Sequence, residues 1–487
     1  MVFNSLEFLI FFPIVLLIYY VIPEKIKYIW LLAASYYFYM CWNAKYALLL
    51  LLSTAVTYVS GILLEKVKYR KCVVAGSFAI NLAILVYFKY SNFALSLFTA
   101  AFAKLNIQIN VPQVDVLLPV GISFYTFQAL SYTMDVYRKE IYAEKNFLRY
   151  ALFVSFFPQL VAGPIERSKN LLKQLAVVKK FDFDLAREGL LLMLWGYFLK
   201  VVIADRVAIF VDCVYNSPET YGGWYLIVGT LLFAVQVYCD FAGYSTIAMG
   251  ASLFLGIRLM ENFNAPYISF SVTEFWRKWH ISLMSWFKDY LYIPLGGNRK
   301  GTVRKFINKM IVCLVSGLWH GAALKYIAWG GINGLYQIIE ELTAPVRKRI
   351  VSVLRLNTQS FGHKLFSFVL TFSLIDFSHI FFRANSLKSA FYIIKSIFTA
   401  SNPWIFYDES IYMCGLDADN FRIMIISILI LTFADICKHM GIKLREVILR
   451  QDYWFRWLFI AASVAAILTY GIWGPGYSAA NFIYFQF

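Results

Sequence analysis

The feature that most constrains this chain is a set of long apolar runs without a charged residue. Five such runs cover residues 46–64, 72–88, 220–239, 241–257 and 458–487. A bilayer core needs about 20 apolar residues in helical form, so these runs meet or approach the length of a membrane span. Of the 487 residues, 60% are hydrophobic and 15% are charged, whereas soluble domains average about 45–50% and about 25%. An ordinary soluble enzyme is therefore excluded.

Weaker apolar segments lie between these runs. They cover residues 28–43, 91–103, 117–137, 147–163, 186–204, 310–340, 365–382 and 422–437. Together, the segments predict about eleven to thirteen transmembrane helices. No polar linker rich in Pro, Gly or Ser divides the chain. We therefore predict an all-α polytopic membrane protein with a single domain over residues 1–487.

The basic excess of the chain predicts its orientation. Lysine and arginine exceed the acidic residues by 17, and they flank apolar runs instead of forming the reading module of a nucleic-acid-binding domain. Segments 167–180, 347–364 and 438–456 are rich in Lys and Arg and are predicted to be cytoplasmic. The acidic loop 404–420 is then placed outside by alternation.

Residues 257–310 interrupt the pattern of spans. Ser271 and Glu274 are three residues apart, which is the signature of a capping box at a helix start. The tryptophan-rich sequence that follows predicts one amphipathic helix at the cytoplasmic interface, or re-entrant into the protein from that side. His280 lies within it, either as a functional residue or as a hydrogen-bonded structural histidine.

A basic turn follows this segment at Asn298, Arg299 and Lys300. These residues are candidates for binding the phosphates of a cytosolic donor. A juxtamembrane cluster of this kind is also a common topology signal.

His320 lies near the centre of the apolar segment 310–340. Ionisable groups at such depth are costly and indicate a functional site. Burial disfavours the charged imidazolium, so this histidine is expected to be neutral, as a general base requires. Gly317 and Gly321 bracket it with a four-residue spacing, which also suits close helix packing around a structural histidine.

Other polar residues in apolar surroundings are Asp240 and the pair Asp376 and His379. They suit either structural hydrogen bonds or the lining of a cavity. The sequence contains no serine-hydrolase elbow, phosphate-binding loop or zincin motif. It also has no C-x-x-C pair, and no metal site is predicted.

Several longer strings resemble one known family. They are FFPQLVAGPIER (156–167), DFAGYSTIAMG (240–250), NFNAPYIS (262–269), EFWRKWHISLMSWFKDYLYIPLGGN (274–298), GLWHGA (317–322) and FFRA (381–384). In this order, over nearly the whole chain, they are similar to the membrane-bound O-acyltransferase (MBOAT) family. The resemblance is greatest to its bacterial branch of alginate O-acetyltransferases.

The resemblance implies a helical membrane fold around a central tunnel. It implies His320 as the catalytic histidine of the WHG motif and His280 as a second active-site residue. The donor expected in this branch is acetyl-CoA from the cytosol, with no bound cofactor, and we assign Asn298, Arg299, Lys300 and Trp319 to its binding. The acetyl group is expected to pass to an extracytoplasmic SGNH-type acetyltransferase that modifies a secreted polysaccharide.

These expectations predict an O-acetyltransferase of the bacterial cell membrane. His320 would act as general base on a hydroxyl acceptor, or form a transient acetyl-histidine. His280 would orient the donor or share the proton. Two alternatives remain at this point: D-alanyl transfer to teichoic acid from a carrier protein, and export of a polysaccharide without acyl chemistry.

Overall fold

The structure, a computed structural model, describes residues 1–107, 112, 117–473 and 482. These residues form helices, turns and loops, and no strand is present among them. The all-α class is therefore confirmed. The predicted span at 458–487 is described only to residue 473 and at 482, and the rest of it lies outside the described residues.

The α-helices are numbered in chain order. They are α1 (Leu6–Val21), α2 (Lys27–Met40), α3 (Ala47–Lys66), α4 (Arg70–Ala103), α5 (Ile122–Tyr137), α6 (Phe147–Ser155), α7 (Phe157–Leu160), α8 (Ser168–Leu175), α9 (Phe183–Tyr197), α10 (Asp205–Asn216), α11 (Trp224–Phe254), α12 (Val272–Lys278), α13 (Ile281–Phe287), α14 (Thr302–His320), α15 (Leu324–Leu342), α16 (Ala344–Val353), α17 (Phe361–Arg383), α18 (Leu387–Thr399), α19 (Ala418–His439), α20 (Leu444–Leu449) and α21 (Tyr453–Tyr470). The π-helical segments Phe198–Ala204 and Lys288–Tyr292 follow α9 and α13.

Six helices in the described part of the chain are long and apolar enough to cross a membrane. They are α3, α4, α11, α17, α19 and α21. The predicted eleven to thirteen spans also include shorter helices, such as α5 and α9 with 16 and 15 residues. Helix α5 is largely enclosed by protein, where neighbouring side chains satisfy polar groups, so it does not need a continuous apolar sequence. The chain is a multi-pass membrane protein.

Two pairs of predicted spans are each one continuous helix. Lys89 separates 72–88 from 91–103 in the sequence, but α4 runs through it for 34 residues. Asp240 likewise lies inside α11. Both charged side chains have partners: Lys89 bonds to the Trp319 carbonyl at 2.6 Å, and Asp240 pairs with Lys200 at 2.7 Å. A satisfied charge does not force a helix to end.

Helices α9 and α11 approach each other through facing glycines. A Cβ on Gly196 would lie 2.7 Å from the Gly243 carbonyl oxygen, and one on Gly243 would lie 2.8 Å from that of Gly196. The close contact brings buried Lys200, in the π-helical segment after α9, next to Asp240 of α11. This ion pair fits the structural interpretation of Asp240.

The predicted single amphipathic helix is instead two short helices. Its start is as expected, since the Ser271 Oγ accepts from the Glu274 amide at 3.0 Å and the Glu274 carboxylate accepts from the Phe270 amide at 2.9 Å. The helix then ends at Lys278, and a second begins at Ile281. The break falls on His280, whose backbone is left-handed, with φ 43° and ψ 53°.

Helices α14 and α15 form a hairpin whose tip carries His320. Gly317 and Gly330 face each other at the crossing. A Cβ on Gly317 would collide with the Tyr326 carbonyl, and one on Gly330 would collide with the Cys313 carbonyl. Only residues without a Cβ allow the two backbones to come this close.

Alanine substitutions at and beside this crossing should distinguish two effects of an added Cβ on stability: overpacking at a close contact, and a higher helix propensity. We expect Gly330→Ala to destabilise the protein by about 1–3 kcal/mol through overpacking against backbone. The matched control is Gly331→Ala, whose Cβ would lie 3.6 Å from the Leu314 side chain. We expect that control to be neutral or slightly stabilising, since alanine favours helix over glycine. Thermal unfolding in detergent measures both, and equal melting temperatures for the two variants would contradict the assignment.

Candidate active site

His320 is the last residue of α14 and is buried, with 4% of its surface exposed. Aromatic rings surround its imidazole: Trp319 at 4.9 Å, Trp329 at 5.1 Å and Phe382 at 5.4 Å between ring centroids. These rings come from α14, α15 and α17, so three helices fix the position of the histidine. These apolar rings shield part of the imidazole, and limited access of water favours acyl transfer over hydrolysis.

His280 is held in its left-handed conformation by a neighbouring loop. The Asn262 carbonyl accepts from the Ile281 amide at 2.9 Å, and the Asn262 side-chain oxygen accepts from the Ser282 amide at 3.4 Å. The Asn262 amide group donates to Ser245 of α11 at 2.8 Å. A non-glycine residue rarely adopts a positive φ, and such strain concentrates at functional sites.

The structure brings the two predicted histidines together at Trp319. The indole centroid lies 4.9 Å from the His320 ring and 5.9 Å from the His280 ring. His280 also contacts Phe241 of α11 at 4.6 Å. Residues far apart in the chain therefore form one aromatic-lined site.

A small cavity opens beside His320, at the C-terminal end of α14. This outer cavity has a volume of about 30 Å³. Its lining consists of Lys89, residues 118–124, Val161, Trp319 and His320. A volume of this size holds about two water molecules, so it suits a single hydroxyl-bearing group and not a nucleotide.

Lys89 was missed by the sequence analysis, which treated it as a boundary between two spans. Its ammonium donates to the Trp319 carbonyl at 2.6 Å and to the Ser123 hydroxyl at 3.3 Å. The adjacent Tyr90 hydroxyl donates to the Leu318 carbonyl at 2.6 Å. A lone lysine between two apolar runs is itself a signal of a functional position.

A much larger pocket lies at the other end of α14. This inner pocket has a volume of about 670 Å³, which is in the range of small-molecule sites. The side chains that line it come from α12 to α16 and from the π-helical segment Lys288–Tyr292. They are Ser271, Thr273, Glu274, Arg277, Met284, Lys288, Tyr292, Lys305, Lys309, Val312, Cys313, Gln337, Glu340, Glu341, Ala344 and Arg347.

The inner pocket is basic and lies on the predicted cytoplasmic face, since Arg347 begins the basic segment 347–364. Five lysine or arginine residues line it against three glutamates. Hydrogen bonds from Lys305 and Lys309 hold the pKa of Glu341 below its ordinary value, so this glutamate is ionised at neutral pH. The pocket keeps a net positive charge of two (5 − 3), which favours an anionic ligand.

Of the α14 residues that line the inner pocket, Cys313 is nearest to His320 along the helix, seven residues before it. At 1.5 Å per residue this separation is about 10 Å. Trp329 contacts His320 at 5.1 Å and Trp276 at 5.6 Å, so tryptophan rings link the pocket end to the histidine. A continuous tunnel stays a prediction.

Of the other predicted site residues, Asn298, Arg299 and Lys300 line neither cavity. Asn298, Arg299 and Lys300 are exposed on the turn before α14, and the turn is attached to the inner pocket through Tyr292, whose carbonyl accepts from the Gly297 amide. Their role in donor binding stays a prediction. Trp319 lines the outer cavity, and its assignment to donor binding is also untested.

Asp376 and His379 of α17 lie near this site. The His379 ring is 6.3 Å from that of Trp279, the residue before His280. No hydrogen bond joins the two side chains within the described residues, and the predicted structural pair is not formed by a direct bond. No cluster of three or more His, Cys, Asp or Glu suited to a metal occurs in the part of the chain that the structure covers.

Comparison with known proteins decides the family. The profile of the membrane-bound O-acyltransferase family matches residues 15–374. The chain belongs to this family. It is accordingly a membrane O-acyltransferase, and the match covers both histidines and all the residues that line the inner pocket.

Similar proteins of this acyltransferase family include three with different names. The chain is 38% identical over 408 residues to a probable alginate O-acetylase, AlgI, of Pseudomonas aeruginosa, covering 82% of this chain and 75% of the relative. It is 31% identical over 432 residues to a peptidoglycan O-acetyltransferase of Helicobacter pylori, covering 82% and 80%. It is 32% identical over 226 residues to a teichoic acid D-alanyltransferase of Bacillus subtilis, covering 43% and 56%.

The left-handed backbone of His280 gives a test of how this acyltransferase holds its second histidine. His280→Gly and His280→Ala remove the same imidazole, but only alanine keeps a Cβ that opposes positive φ. We expect the glycine variant to be more stable by roughly 0.5–1 kcal/mol, the steric cost less the unfolded-state entropy of glycine. Thermal unfolding in detergent measures the difference.

The control is the same pair of changes at Ser285, inside helix α13. There the order should reverse, with alanine more stable than glycine by about 1 kcal/mol. If His280→Ala is at least as stable as His280→Gly, the backbone at position 280 is not strained.

Proposed function

We propose that this acyltransferase moves an acetyl group from cytosolic acetyl-CoA across the bacterial cell membrane for O-acetylation of an extracellular polysaccharide. The observation that carries the proposal is the asymmetry of the two openings along α14. A large basic pocket lies at its predicted cytoplasmic end, and a small cavity lined by His320 lies at the other. A bulky anionic donor fits the first, and a hydroxyl group fits the second.

The inner pocket suits the phosphorylated nucleotide part of coenzyme A. Arg277 and Lys288 are exposed at the pocket, where their charges can pair with phosphates. Cys313, at the inner pocket, and His320 are separated by about 10 Å along α14. A donor bound in the pocket would need a long, thin acyl-carrying arm to cover this distance. The exposed turn with Arg299 and Lys300 would add charge near the entrance.

Acyl transfer at His320 requires one proton to move. The acceptor hydroxyl oxygen attacks the thioester carbonyl carbon, and the His320 imidazole takes the hydroxyl proton. The carbon–sulfur bond then breaks, and the thiolate leaves with that proton as a free thiol. His280, whose ring lies 5.9 Å from that of Trp319, would orient the donor or share the proton. The apolar rings around His320 would exclude competing water.

The acceptor is proposed to be an extracytoplasmic SGNH-type acetyltransferase, which passes the acetyl group to a secreted polysaccharide. The names of the relatives that match most of the chain, an alginate O-acetylase and a peptidoglycan O-acetyltransferase, support acetyl transfer to a glycan. The D-alanyltransferase match covers less than half of the chain and supports the alternative of aminoacyl transfer less strongly.

The first test replaces the proposed base. Surface polymers from cells with wild type, His320→Gln, His439→Gln or no protein are treated with mild alkali, and the released acetate and D-alanine are measured. Loss of a general base lowers the rate by about 10²–10⁴-fold, so we expect acetate only with wild type and the control. His439 is exposed at the end of α19, and immunoblots check protein level.

Other results of this test would change the conclusion. Loss of D-alanine instead of acetate in the His320→Gln cells would favour teichoic acid D-alanylation. Export would be favoured by two results together: an unchanged ester content in the His320→Gln cells, and loss of the polymer itself from cells without the protein.

The second test asks which basic group binds the donor. We expect Arg277→Gln with Lys288→Gln to raise KM for acetyl-CoA about five- to tenfold with little change in kcat, equivalent to about 1–1.4 kcal/mol. The comparison variant is Arg299→Gln with Lys300→Gln on the exposed turn. Steady-state kinetics at several salt concentrations measures both. A larger effect in the turn variant would move the phosphate site out of the inner pocket.

A further inference from the structure

Helix α4 reaches the active site at only one place. Only 17% of an 18-residue apolar window of this helix is buried inside the protein. At Lys89 and Tyr90, however, two successive polar side chains bond to the C-terminal end of α14. An ammonium in an otherwise apolar helix is costly, so its position calls for a physical reason.

The reason lies in the backbone of α14. The last four carbonyls of a helix have no partner within the helix, and α14 ends inside the protein. The Gly317 carbonyl accepts from the Gly321 amide at 3.3 Å. The next two carbonyls, of Leu318 and Trp319, accept from Tyr90 and Lys89 at 2.6 Å each.

When protonated, the Lys89 side chain also suits the electrostatics of this helix end. The C-terminus of a helix carries a partial negative charge that a nearby cation stabilises. The Lys89 nitrogen lies 5.9 Å from the Trp319 ring and lines the outer cavity together with His320. Its second bond, to Ser123, ties the same group to the first turn of α5.

We propose that Lys89 is a positioning residue for the acyl transfer described above. With Tyr90, it caps α14 and fixes the Trp319–His320 turn, so that the imidazole faces the outer cavity. The bonded carbonyl belongs to the residue directly before His320, and a displacement of about 1 Å in a reacting group lowers the rate about 10²-fold. The proposal rests on the proposed function only for its kinetic test.

The kinetic test uses Lys89→Met, which keeps the side-chain length and removes the donors, and Tyr90→Phe, which removes one hydroxyl. We expect kcat to fall about 30- to 100-fold in the first and about three- to tenfold in the second, with KM for acetyl-CoA within twofold of wild type. Lys89→Arg restores a cationic donor and should recover at least a third of the lost kcat. Tyr87→Phe is the matched control, because Tyr87 is exposed one turn earlier on α4.

A second readout does not depend on the donor. Diethyl pyrocarbonate modifies imidazoles, and mass spectrometry of the peptide with His320 gives its rate of modification. We expect Lys89→Met to speed this modification at least threefold, because the uncapped turn opens the cavity, while Tyr87→Phe leaves it unchanged. If Lys89→Met does not fold, Tyr90→Phe carries both measurements.

The outcomes separate the two proposals. A wild type that does not turn over acetyl-CoA, but whose His320 modification still depends on Lys89, refutes the proposed donor and retains the positioning role. Wild-type kcat and modification rate in Lys89→Met overturn the positioning role. A fall in kcat matched by a fall in melting temperature, without rescue by arginine, assigns Lys89 to stability alone.

Discussion

The active site depends on a helix that ends inside an apolar protein. Backbone groups that lack partners there are costly because no water is available to satisfy them. The end of α14 is therefore stable only where other elements supply donors, and α4 supplies them through Lys89 and Tyr90. The same bonds determine where His320 lies. They therefore satisfy the backbone of α14 and position the proposed base at the same time.

Close backbone contacts at two helix crossings also stabilise this arrangement. Glycines at the α14–α15 and α9–α11 crossings let the helices approach without side chains between them. The first contact orients the hairpin that carries His320. The second contact holds α11, whose Phe241 packs on His280. Rigid packing of this kind positions two histidines from separate motifs around one tryptophan, and leaves a large pocket at one end of α14 and a small cavity at the other.

Several features of the site were predictable from local sequence. The capping box at Ser271 and the buried position of His320 follow from patterns within a few residues, and the structure has both. The single amphipathic helix was wrong because apolar spacing does not reveal the left-handed turn at His280, which Asn262 stabilises from a distant loop. Two pairs of predicted spans are single helices, α4 and α11, because Lys89 and Asp240 have partners elsewhere in the protein.

The sequence by itself determined the all-α membrane class and the two histidine motifs, since each depends on local composition and spacing, and it predicted that the basic segments are cytoplasmic. Only the tertiary structure decided that both histidines meet at Trp319, that the inner pocket collects its charges from α12 to α16, and that Lys89 belongs to the site. Lys89 and Trp319 lie 230 residues apart in the chain. A hydrogen bond between such residues depends on how the helices pack, and local sequence patterns do not show which distant residues come into contact.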